Sequence, residues 1–120
     1  MKKALLLVLF SSVLGAELET PIQCEIAKKQ QKDLLELEGV CTNRDDEVHD
    51  VTLVLWVKRW SKGNVSQTLQ SATKKLMPSE SFSSGRVFLR LEEGTRFELT
   101  LKALEGEKVL VEKNEVIDGL

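Results

Sequence analysis

Few residues in this chain are placed to do chemistry. The only histidine, His49, sits in Asp45-Asp46-Glu47-Val48-His49-Asp50, where carboxylates and an imidazole lie close enough in sequence to share a cation. The spacing does not match the Asp-x-Asp-x-Asp-Gly loop that wraps calcium. Zinc needs more His or Cys ligands than the run supplies. The run therefore reads as a solvated loop between strands, with no metal. A Ser-His-Asp triad cannot be built around one His in an acidic loop, and no Gly-x-Ser-x-Gly elbow exists. No glycine-rich phosphate loop is present. The paired carboxylates Glu92 and Glu93 fall in a turn, where such groups are usually just solvated. The chain reads as a non-enzyme without a cofactor.

The two cysteines pose a register question. Cys24 and Cys41 fall on the same face of two successive alternating segments. A hairpin centred on Gln30 sets Cys24 against Leu37 and leaves Cys41 roughly 13 Å further along, too far for a bond. A turn at Gln31-Lys32-Asp33-Leu34 sets Cys24 opposite Cys41. Both registers keep Ile26, Leu35 and Leu37 on one face, so the pattern leaves the choice open. The alternative to a disulfide is a pair of small buried hydrophobes. A redox enzyme is not indicated, because there is no Cys-x-x-Cys.

Trp56, Lys58 and Trp60 alternate on one strand face, with Arg59 on the other. An aromatic-cationic strip of this kind suits a peptide or a sugar. Trp56 is expected in the core; Trp60 is open between a half-covered strand end and a binding residue. Val65 to Thr73 is a mostly polar strand containing Gln67 and Gln70, with little apolar surface to bury. Such a strand sits best at a sheet edge, where its backbone can pair with another extended chain. Lys74 and Lys75 follow it as gatekeepers against self-association.

The elements that must carry these residues have period two almost everywhere. Ile22, Cys24 and Ile26 alternate with polar neighbours, and Lys28 to Lys32 reads as a turn. Val51, Leu53, Leu55 and Val57 face one way, while Val54, Trp56 and Trp60 face the other. Ser61-Lys62-Gly63-Asn64 is a hairpin signal. Lys74 to Ser84 reads as a loop around Pro78. Phe97, Leu99, Leu101 and Ala103 form a half-buried strand, and Glu105-Gly106 turns the chain into the last one. About seven short antiparallel strands predict an all-β, immunoglobulin-like or fibronectin III-like β-sandwich. Gly94-Thr95-Arg96-Phe97 looks like the corner before strand F of such sandwiches. Its aromatic is Phe97, which lacks the hydroxyl that usually bonds back to the backbone.

The 120 residues make one domain, and the hydrophobic fraction of 42% supports a core. The net charge of −2 argues against a nucleic-acid binder, which needs a clustered basic face. Met1-Lys2-Lys3, the apolar run Ala4–Phe10 and the small residues ending at Ala16 read as a secretory signal peptide, residues 1–16, with a cut after Gly15 as the alternative. The run is about half the roughly 20 apolar residues that a span needs. Removing 16 of 120 residues leaves 104, as one sandwich over 17–120, and takes two of 17 cations, moving the charge from −2 to −4. The compartment is oxidising, read as a bacterial periplasm, which tips the cysteine question toward a disulfide. No membrane association is expected after cleavage, and the protein is read as a monomer.

The mature chain resembles the curli-assembly periplasmic chaperones, small secreted immunoglobulin-like proteins that inhibit amyloid formation by curli subunits. The resemblance rests on Gln23-Cys24-Glu25-Ile26, Leu37-Glu38-Gly39-Val40, the Lys62-Gly63-Asn64 hairpin, Ser66-Gln67-x-x-Gln70 and Gly94-Thr95-Arg96-Phe97-Glu98-Leu99. It spans roughly residues 22 to 112. The Cys-x-Cys of one branch is absent, so a redox role does not carry over. The resemblance implies transient binding of a curli-type amyloid subunit; together with the polarity of the Val65–Thr73 strand it singles out Lys58, Trp60, Gln67, Gln70, Lys74 and Lys75 as the expected contact residues. The competing reading is a secreted β-sandwich module for adhesion, binding carbohydrate or another protein. A small secreted hydrolase inhibitor would need a protruding loop, for which Lys74–Ser84 is the candidate.

Overall fold

The computed structural model describes residues 21–119; the expected signal peptide and its boundary lie outside them. Among the described residues no helix is long and apolar enough to cross a membrane. Alternation and turn chemistry give seven strands: β1 (Ile22–Gln31), β2 (Leu34–Asn43), β3 (His49–Ser61), β4 (Asn64–Leu76), β5 (Ser81–Arg90), β6 (Thr95–Glu105) and β7 (Lys108–Asp118). They form a three-stranded sheet in the order β1-β2-β5 and a four-stranded sheet in the order β4-β3-β6-β7. Every pairing is antiparallel. The chain is a β-sandwich, as the period predicted.

The core lies between the sheets. Leu35, Leu37 and Cys41 of β2 face Val51, Leu53, Leu55 and Val57 of β3, with Phe97, Leu99 and Leu101 of β6 beside them. These side chains are almost fully buried. Each such Val, Leu or Phe contributes about 1.5–3 kcal/mol by leaving water. Gly39 of β2 lies against Leu101 of the other sheet, and its amide donates to Ser84 Oγ at 3.1 Å. A Cβ there would lie 2.6 Å from Leu101 Cδ1, so only glycine fits the present packing.

Two turns set the hairpins. Lys62 and Gly63 both have positive φ, 49° and 82°, the pattern of a type I′ turn. It starts an unbroken register from Ser61↔Asn64 to His49↔Leu76. Lys32 also has positive φ, 58°, and with Asp33 forms the turn between β1 and β2. β1 therefore runs through Gln31, further than the polar Lys28–Lys32 stretch predicted.

Two further findings correct the sequence reading. β4 continues through Lys74 and Lys75 to Leu76, and only residues 77–80 separate it from β5. Lys74 pairs with Val51 and Lys75 with Asp50, while Leu76 is fully buried and anchors the strand end. The protruding loop that an inhibitor would need is not formed there. At the corner before β6, Phe97 is buried without a hydroxyl, as expected. Thr95 closes the corner instead: its Oγ1 donates to the Glu92 carbonyl at 2.6 Å, and its amide donates to the same oxygen at 3.1 Å.

A candidate binding face on the edge hairpin

The β3–β4 hairpin is long because both strands extend for 13 residues around a two-residue turn. β4 stands at the edge of its sheet. Alternation then sorts its side chains. Residues opposite Val51, Leu53, Leu55 and Val57 turn toward the other sheet, and those opposite Trp56, Lys58 and Trp60 turn to solvent. On the solvent face Trp56 stands across from Leu69, Lys58 from Gln67, and Trp60 from Val65.

These side chains form one patch. The Lys58 Nζ lies 5.7 Å from the Trp56 ring centroid and 5.6 Å from that of Trp60. Each contact is worth about 0.5–1 kcal/mol at an exposed site. Trp56 Nε1 donates to Gln67 Oε1 at 2.9 Å. Trp56 is 41% exposed, Trp60 40% and Leu69 64%. The expectation that Trp56 is a core tryptophan is thus corrected. The core is complete without it, because Leu55 and Val57 on either side point inward.

The six sequence-derived contact residues divide between two faces. Lys58, Trp60 and Gln67 meet in the patch. Lys75 shares their face but lies eight residues along β4 from Gln67, roughly 26 Å away. Gln70 and Lys74 turn toward the other sheet. A Cβ on Gly85 of β5 would lie 3.3 Å from the Gln70 side chain, so Gln70 covers the gap between β4 and β5. Lys74 Nζ pairs with Glu80 at 3.3 Å. The Glu80 carboxyl is held below its ordinary range, chiefly by the Met77 amide that donates to it.

Sequence reasoning overlooked Leu69, Val65 and the charge of this hairpin. From Val51 to Leu76 the chain has five cations, Lys58, Arg59, Lys62, Lys74 and Lys75, and no carboxylate. The near-neutral total concealed this run. Arg59 and Lys74 are paired, with Glu92 and Glu80. Lys58, Lys62 and Lys75 have no salt bridge among the described residues. The face offers apolar contact, free cations and an adjacent strand edge, a combination suited to an extended polypeptide.

Cysteine and titratable side chains also gather at three other places. The structure has the register that sets Cys24 opposite Cys41 and joins their sulfurs; Cys41 is fully buried. A cleft of about 630 Å³ opens between the β1–β2 hairpin and β7, with Glu25, Arg44, Glu112 and Lys113 on its walls. Its charges are mixed and it gathers no reactive group. The His49 side chain is only 12% exposed, unlike the solvated residue that its loop predicted. Its Nε2 lies 2.8 Å from Asp45 Oδ2, and its Nδ1 lies 3.1 Å from Glu105 across the sheet end. Buried Asn43 orders the loop, donating to the Glu47 and Leu76 carbonyls and accepting from the Asp45 amide.

No family model matches the chain, and no curated protein matches it by sequence. Solved structures do. The sandwich has the fold of the curli protein CsgC of E. coli. The two superpose with a TM-score of 0.61 over 79% of this chain and 96% of that one, at 16% identity. CsgH of R. palustris is also similar, with a TM-score of 0.53 and 21% identity over 81% of this chain and 91% of its own. At these identities the likeness is one of fold.

Proposed function

We propose that this protein is a periplasmic chaperone that binds curli amyloid subunits transiently and inhibits their premature fibre assembly. The observation that carries the reading is the outer face of the β3–β4 hairpin. Exposed Trp56 and Trp60 and the cation Lys58 stand beside an edge strand that is polar along most of its length and adds exposed Leu69 to the same face. The shared fold with the curli protein CsgC supports the choice of client. An amyloid subunit held unfolded has strands that seek edges. A rigid sheet can engage such a strand, while Lys74 and Lys75 on β4 keep the edge from pairing with its own copies. The domain reads as non-catalytic, its work done by a surface.

The test is a titration of isotopically labelled protein with unfolded curli subunit. Amide shifts are expected to concentrate on β3 and β4. Unchanged spectra at excess subunit would refute the reading. One observation favours the adhesion alternative: two exposed indoles on one sheet face also suit a sugar. Shifts of the two tryptophan side chains with soluble oligosaccharides, and none with the subunit, would support it.

A further inference from the structure

We propose that Asp45, His49 and Glu105 form a proton-operated clasp that ties the β2–β3 loop to the end of β6. The geometry requires a charged imidazole. Both ring nitrogens lie within hydrogen-bond distance of carboxylate oxygens: Nε2 at 2.8 Å from Asp45 and Nδ1 at 3.1 Å from Glu105. A neutral imidazole has one N–H and would turn a lone pair toward the other carboxylate. Only the imidazolium donates to both. Glu47 adds a third acidic group, its carboxylate lying within 4.8 Å of the Asp45 carboxylate and of a His49 ring nitrogen.

The carboxylates that touch the ring favour its proton, against cations on the neighbouring elements. The loop contributes Asp45, Asp46 and Glu47 together with Arg44, and β6 contributes Glu105. On β3 itself Asp50 follows His49 and stands opposite Lys75 of β4. On β7 Lys108 stands opposite Glu105. Next to the loop, Glu80 pairs with Lys74. The Asp45 hydrogen bond, followed by Glu105, raises the imidazole pKa above 6.5 against the opposing effect of burial. Asp45 is held below 3.8, chiefly by the same bond.

The sign of the pH dependence follows from linkage. Because the His49 pKa is raised on folding, its stabilisation is complete below 6.5 and is lost as pH rises through the folded value. Because that of Asp45 is lowered, its share is present above 3.8 and is lost as pH falls through the folded value. The clasp is therefore closed in mildly acidic medium and opens on the alkaline side. Opening frees one end of the loop only, since the Asn43 bonds do not titrate.

His49 is the only histidine, so its imidazole resonances can be followed without ambiguity in the whole protein. NMR titration should give a midpoint above that of a histidine peptide in the same buffer. Glu105→Gln and Asp45→Asn should each lower it. Hydrogen exchange at Asp46 and Glu47, corrected for the intrinsic rate, should accelerate above the midpoint, while exchange in the core of β3 does not change. A midpoint at or below that of the peptide would overturn the proposal, as would loop exchange that ignores the titration.

Discussion

The indole N–H of Trp56 bonds to the side-chain carbonyl of Gln67 at 2.9 Å, linking β3 to the sheet edge on the face open to solvent. The bond fixes an exposed tryptophan beside Lys58, whose ammonium sits between two indoles. A face ordered before binding loses less side-chain entropy when a partner arrives.

Trp60→Ala should weaken client binding by about 1–2 kcal/mol, roughly five- to thirty-fold, as expected for an aromatic anchor. Titration calorimetry with a soluble client segment reads it. Binding unchanged within error would remove Trp60 from the contact surface.

Charge reversal separates the lysines. Lys58→Glu should reduce inhibition of fibre assembly more than Lys74→Glu, because Lys74 already pairs with Glu80 and turns toward the other sheet. The difference should shrink at high salt, where exposed charges are screened. Equal effects of both variants would contradict the division of faces.

The disulfide closes a loop with a sequence separation of 17. Replacing both Cys24 and Cys41 with Ala should cost about 3 kcal/mol, mostly through the freed unfolded chain. Urea unfolding of the two forms measures it. A midpoint shift near zero would show that packing between the sheets suffices without the bond.

Gly39→Ala should destabilise the fold by about 1–3 kcal/mol, since the new methyl must displace Leu101 or Ser84. Thermal unfolding tests this, and an unchanged midpoint would mean that the sheets separate without cost.

Much of this architecture was legible in the sequence, because period two and the Lys62-Gly63 turn point to the same sandwich. Trp56 was not. β3 is apolar on both faces, and alternation alone does not say which face a second sheet covers. The end of β4 was hidden by Lys74 and Lys75, which look like loop residues until Leu76 is seen to be buried. The cysteine register was hidden because an even slip preserves every face. It is set by a turn with Lys32 at positive φ, a position more often taken by Gly or Asn. The His49–Glu105 contact joins residues 56 apart in sequence, and no local pattern announces it.

Inhibition of amyloid assembly is claimed for this protein, and the kinetics of fibre formation measure it. Purified curli subunit is followed by thioflavin-T fluorescence with a small molar fraction of the mature protein present. The face described here predicts a longer lag, shortened again toward the control by Lys58→Glu. A lag that stays the same with and without the protein would contradict the claim.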